Sequence, residues 1–183
     1  MSDVLGHRFI NSQLVADEFA AQGYMVVAPD LFRGDAVPEE LPDGFPPFED
    51  WLKGPPGHLP ANVDPIVGAI LSEMRQNLGC KKIGGAGCEH NTLCYPPTSD
   101  VQKTSCPGIR RCRVWADVVG YTDCFGAKYV VRYLQPGAGK LDAGYIVHPT
   151  MVEEGELELI QGPLCIDAAG KFSDSGGVPW KKK

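Results

Sequence analysis

No stretch of this sequence stays apolar for the roughly 20 residues that a helix needs to cross a bilayer. Its opening, Met1-Ser2-Asp3, lacks the basic and then apolar order of a secretory leader. Both absences point to a soluble, cytoplasmic protein. Basic residues are in short supply: 17 lysines and arginines stand against 23 aspartates and glutamates, a net charge of −6. The only basic run, Lys181 to Lys183, reads as a solvated tail, so neither nucleic acid nor a membrane is expected as a partner. Histidine is scarce as well, with four in the chain and none after His148. Fully paired cysteines are excluded by number, because the seven form an odd set. Four of them, Cys88, Cys94, Cys106 and Cys112, crowd between Ala86 and Thr122. A secreted disulfide framework would span the chain, so reduced thiols are expected.

What is present suits one domain. With 183 residues, 43% of them hydrophobic, the chain can bury one core and hardly two. Ile10, Leu14, Val15 and Phe19 recur at helical spacing between His7 and Gln22, and Gly23 stops that helix. The β-branched run Tyr24 to Val27, closed by Pro29 and Asp30, predicts a buried strand. Gly34 to Pro60, rich in proline, glycine and acids, predicts an irregular surface excursion with one helical turn around Phe48 to Leu52. Asp64-Pro65 supplies a cap and a first-turn proline to a helix lined by Ile66, Val67, Ile70, Leu71, Met74 and Leu78, ended by Gly79. "KKIGG" predicts a short strand. Ala127, Val130, Val131 and Leu134 then mark a helix that Pro136 closes. Leu141 to Val147 and Pro163 to Ala168 read as two further strands. Alternating strands and helices predict an α/β fold, a mainly parallel sheet with helices on both faces, whose chemistry gathers at the carboxyl ends of the strands.

One residue stands where such chemistry would be. Cys124 precedes a helix, and helix N-termini favour a thiolate. With Phe125 and Gly126 it forms the second half of a nucleophile elbow. The first half fits poorly, since Thr122 stands where that motif has glycine and Gly120 comes two residues early. On residue type alone, a lone cysteine before a helix reads as structural.

Five stretches shift that reading: "SDVLGHRFINSQLVADEFAAQGYMVVAPDLFRGD", "CKKIGG", "CFGAKYVVRYL", "LDAGYIVHPTMV" and "GPLCIDAAG". In this order they resemble the dienelactone hydrolase family, particularly its fungal members, and cover most of the chain outside residues 86–122. The resemblance implies a partial α/β-hydrolase that opens lactones or small carboxylic esters through an acyl-enzyme, without a cofactor or metal. Its elbow reads Gly-Tyr-Cys-Phe-Gly, so Gly120-Tyr121 and Cys124-Phe125-Gly126 become two halves separated by Thr122 and Asp123, and Cys124 becomes the nucleophile. "SDVLG" would set the Asp3 carboxylate near that thiol and give the Val4 N–H, with that of Phe125, to an oxyanion hole. The other reading of Asp3 is a solvated residue at a frayed terminus. The triad acid falls near Phe172, where Asp174 is the nearest carboxylate and Asp167, inside the last strand, a poorer one. The triad base would follow the acid in the chain, and no histidine does. His148, in "VHPT", matches a different family position and reads as a structural histidine.

Against the resemblance, residues 1–183 form a single incomplete domain, shortened before "SDVLG" and interrupted by a cysteine-rich insertion at 86–122. That insertion either lies outside the evolved fold or supplies zinc ligands from Cys88, His90, Cys94, Cys106 and Cys112. Three outcomes follow for the chain: an impaired hydrolase, a noncatalytic interaction or zinc-binding protein on the same scaffold, or a chain too short of buried area to fold.

Overall fold

A computed structural model describes residues 1–87, 124–137, 141–147, 149 and 151–167. In chain order its elements are α1 (Ile10–Ala21), α2 (Phe48–Lys53), α3 (Pro60–Gln76), β1 (Gly84–Gly87), α4 (Phe125–Tyr133), β2 (Ala143–Val147), α5 (Glu154–Glu158) and β3 (Leu164–Asp167). The three strands are all parallel in the order β1-β2-β3, with Gly84 opposite Ala143 and Gly144 opposite Leu164. Parallel neighbours separated by helices make this an α/β fold, as the sequence pattern predicts.

Helix α4 is the centre of the packing. Phe125, Ala127, Tyr129, Val130, Val131 and Tyr133 are all buried, a helix enclosed nearly all round. It lies on the sheet face where Gly85, Gly87 and Gly144 carry no side chain: a Cβ on these residues would meet Val130, Ala127 and Leu134. Alternation along the strands sends Gly84, Ala143 and Cys165 to the opposite face, and all three are exposed. Among the described residues, the helix cover expected on both faces is therefore seen on one.

Helix α3 packs outside α4 through Val63, Val67 and Leu71. It starts at Pro60, earlier than the Asp64-Pro65 signal predicts, because proline at the first helical position has its φ preset. Asp64 is not a cap: its carboxylate receives Arg132 at 2.6 Å and 3.3 Å, and its carbonyl receives the Tyr133 hydroxyl at 2.7 Å. On α5, burial raises the Glu156 carboxyl pKa, but Lys128 at 2.8 Å, the Glu153 N–H and Arg132 together lower it. A half-exposed ion pair contributes about 0–1 kcal/mol, whereas each buried valine contributes about 1.5–3 kcal/mol, so these pairs set orientation and the apolar core holds the layers together.

Two expectations are corrected. Tyr24 to Val27 is no strand: it is extended chain with Tyr24 67%, Met25 54%, Val26 37% and Val27 38% exposed. A strand exists only by pairing, and among the described residues no strand pairs with this run. The stripe on α1 has the same fate, with Ile10 and Phe19 exposed and only Asn11 buried. Gly34 to Pro60 is largely exposed and carries the expected helical turn as α2, and from it Trp51, Leu52 and His58 reach into the core. Among the described residues, no helix is long and apolar enough to cross a membrane.

The start of the sheet is clamped by Asp142. Its carboxylate accepts the Ile83 N–H at 2.9 Å, Arg75 at 2.9 Å and Lys82 at 3.2 Å, and these donors, the Ile83 amide first, hold its pKa down from 3.8 to about 2. A carboxylate with a lowered folded pKa stabilises above its ordinary pKa and loses that contribution as pH falls. Asp142→Asn should therefore cost about 1 kcal/mol near neutral pH. In denaturant titrations the gap to the parent should close between about pH 4 and pH 2; a gap that is constant with pH would contradict this assignment.

Candidate active site

The carboxyl ends of β1 and β2 converge on the first turn of α4. Cys124 is the N-cap of that helix and forms an isolated parallel bridge with Pro149, just beyond β2. At the end of β1, Gly87 is so close to the helix that a Cβ would lie 2.7 Å from the Ala127 nitrogen. On the remaining side the chain's first residues press on Gly126, where a Cβ would lie 2.6 Å from the Met1 carbonyl oxygen and 2.7 Å from that of Ser2. Backbone atoms cannot swing aside as a flexible side chain can, so only glycine allows three segments to meet here.

Residues 3–6 form a compact turn beside this junction. The Asp3 carboxylate accepts the Leu5 N–H at 3.0 Å, the Asp3 carbonyl accepts the Gly6 N–H at 3.2 Å, and the Val4 carbonyl accepts the Val37 N–H at 2.9 Å. Asp3 is 3% exposed, which rules out the solvated, frayed terminus. The structure thus brings Cys124, Phe125, Asp3 and Val4 into one neighbourhood, with Val4, Cys124 and Phe125 in the same core cluster.

Burial and backbone geometry depart from the expected elbow. Cys124 is 0% exposed, and its φ of −66° and ψ of 96° are those of ordinary extended chain, whereas an elbow presents its nucleophile on a strained turn. Its thiol is in no disulfide, and neither are those of Cys80 and Cys165. Asp174, His148, Phe172 and the cysteine-rich stretch with His90 lie outside the described residues. Asp167 ends β3, its backbone opposite Val147. Among the described residues, no group of side chains could hold a metal ion.

The site also has a wall that sequence reasoning missed. The Phe125 ring lies 5.0 Å from Phe32, which lies 5.3 Å from both Trp51 and His58, while Trp51 and His58 are 4.3 Å apart. His58 Nε2 meets an Asp35 carboxylate oxygen at 3.0 Å, and the Trp51 indole N–H donates to the Asp35 carbonyl at 2.9 Å. From beneath, the Tyr129 hydroxyl donates to the His58 carbonyl at 3.3 Å; burial, then the Asp64 charge, pushes its pKa well up, so it stays protonated. The available signal was compositional: one of four histidines and one of three tryptophans fall within eight residues of a stretch otherwise full of proline and glycine.

Residues 1–84 match the model of the dienelactone hydrolase family. They belong to that family. The chain is 44% identical over 173 residues to hydrolase pyvD of Aspergillus violaceofuscus, an overlap of 93% of this chain and 53% of that protein. It is 44% identical over 176 residues to hydrolase tropI of Talaromyces stipitatus, covering 93% and 54% respectively. With dienlactone hydrolase 1 of Gibberella moniliformis the identity is 28% over 157 residues, 85% of this chain and 47% of that one. The chain thus spans about half the length of these relatives. No solved structure matches it. The family's α/β-hydrolase class agrees with the parallel sheet and its helices.

Burial makes the thiols of Cys124 and Cys165 separable. In the native protein a bulky thiol reagent should label exposed Cys165 at least about tenfold faster than Cys124, and unfolding should equalise the two. Peptide mapping by mass spectrometry reads this out; equal native rates would contradict the enclosure of Cys124.

Proposed function

We propose that this protein is a cytoplasmic thiol hydrolase of lactones or other small carboxylic esters, with Cys124 as nucleophile and impaired turnover. The observation that carries this reading is the place of Cys124, at the N-cap of α4 where the carboxyl ends of β1 and β2 meet. There the helix's unpaired N–H groups favour developing negative charge. In the proposed reaction the thiolate sulfur bonds to the ester carbonyl carbon, and the carbonyl π electrons move to oxygen. The N–H groups of Phe125 and Val4 hold that oxyanion. Its collapse expels the alkoxide, which takes a proton, and leaves a thioester on Cys124. Water then cleaves the thioester and restores the thiol. Asp3 lies beside this centre, and Asp174 is the candidate triad acid. The substrate is a small molecule, with no part for nucleic acid or membrane.

The second half of the cycle needs a base to activate water, and none of the four histidines follows the acid in the chain. Losing one triad member removes several orders of magnitude of rate. Acylation without efficient deacylation is the expected result. Mixed with p-nitrophenyl acetate, the purified protein should release close to one equivalent of p-nitrophenolate and then turn over at least about 1,000-fold more slowly than an intact thiol esterase. Cys124→Ala should remove the burst, and an acetyl group should map to Cys124 in the parent. Steady turnover that survives Cys124→Ala would overturn the assignment.

A further inference from the structure

The aromatic wall beside Phe125 is tied together by one surface residue. Asp35 directs each of its polar groups at a different member of the wall: its N–H donates to the Phe32 carbonyl at 3.0 Å, its carbonyl accepts the Trp51 indole N–H at 2.9 Å, and its carboxylate meets His58 Nε2 at 3.0 Å. The Asp35 side chain is 52% exposed, whereas Phe32, Trp51 and His58 are all buried. The turn that delivers it is strained. Arg33, between Phe32 and Asp35, has a φ of 55°, a left-handed conformation that a residue with a side chain rarely adopts, and Gly34 follows at 86°. Such strain persists only where surrounding contacts over-determine it, and the three bonds of Asp35 supply those contacts.

The wall carries this placement to the start of α4 through a closed circuit of contacts. Phe125 packs on Phe32 at 5.0 Å and on Tyr129, one turn along its own helix, at 5.2 Å. Phe32 meets the His58 ring edge-on at 5.3 Å, the planes 81° apart, and the His58 carbonyl accepts the Tyr129 hydroxyl at 3.3 Å. Ring contacts are broad and tolerate sliding, whereas hydrogen bonds are directional, so the orientation of the wall is set where those bonds end, at Asp35. A pair open to water on one side adds little stability, so the contribution of the Asp35 carboxylate is geometric. We propose that Asp35 is a positioning residue, which orients His58 and, through Phe32, fixes Phe125 and its N–H at the head of α4. That this N–H receives an oxyanion beside Cys124 rests on the hydrolytic reading above; the positioning itself does not.

Substitution can remove only the carboxylate bond, and asparagine can replace it, since its side-chain oxygen accepts from the same His58 N–H. In hydrogen exchange followed by NMR, Asp35→Ala should speed exchange of the Phe125 amide at least about tenfold and leave the Val67 and Leu71 amides of α3 at the parent rate, because the loosening is local. Asp35→Asn should return the Phe125 amide to within about threefold of the parent. With p-nitrophenyl acetate, the burst of Asp35→Ala should keep its amplitude, since the thiol is intact, but rise at least about tenfold more slowly, and Asp35→Asn should restore its rate. Unchanged Phe125 exchange in Asp35→Ala, equal acceleration at Phe125, Val67 and Leu71, or an asparagine variant as impaired as the alanine one would each overturn the proposal. A parent that shows no burst would count against the hydrolytic reading alone, and exchange at Phe125 would still decide the positioning.

Discussion

Everything at the carboxyl end of the sheet depends on how closely backbone can approach the first turn of α4. Gly87 brings the end of β1 against Ala127, and Gly126 admits the carbonyls of Met1 and Ser2. A methyl group at either place would sit under 3 Å from backbone and push a segment outward. Overpacking of this kind costs about 1–3 kcal/mol in a packed interior, but its larger effect would be positional. Cys124 stands one residue before this turn and Asp3 one residue after those carbonyls. A displaced segment would carry a proposed site residue with it.

The rest of the molecule keeps that junction in place from a distance. Asp142 ties the end of α3 to the starts of β1 and β2 through Arg75, Lys82 and the Ile83 amide. At the other end, the Phe32, Trp51 and His58 rings lean on Phe125, and Asp35 holds both Trp51 and His58 by hydrogen bonds. Between the two lies the apolar body of α4, where Val130 and Val131 are fully enclosed. The polar links are directional and individually weak; the enclosed valines and rings supply the larger stabilisation. Division of labour explains why Trp51, Leu52 and His58 reach the core from an otherwise largely exposed loop before α3.

The legible parts of the fold were those whose pattern is repeated locally. The i, i+3, i+4 spacing of Ala127, Val130, Val131 and Leu134 gives α4 to within two residues, and β2 and β3 follow from short β-branched runs. Tyr24 to Val27 has an equally good local pattern and is no strand, because pairing is a property of neighbours in space that a four-residue run does not encode. The aromatic wall was illegible for the converse reason. Phe32, Asp35, Trp51 and His58 have no period, and their meeting is fixed by loop closure over 23 residues between Asp35 and His58. For the candidate site, the motif resemblance names Cys124, Phe125, Asp3 and Val4, which lie about one junction, and it carries no signal that the sulfur is enclosed.

That enclosure bears on function. A nucleophilic thiol must be reached by its substrate, yet Cys124 is fully covered, and the strained turn that lifts a nucleophile out of the sheet is replaced by ordinary extended geometry. Position and presentation are thus separable properties. Position follows from the strand ends, the helix start and the glycine contacts, and it is the position that the proposed reading requires. Presentation depends on the backbone at Cys124 itself, whose φ of −66° and ψ of 96° leave the sulfur enclosed. Under the proposed hydrolytic reading, enclosure and extended geometry at Cys124 act on the attack step, whereas the supply of a base acts separately, on deacylation.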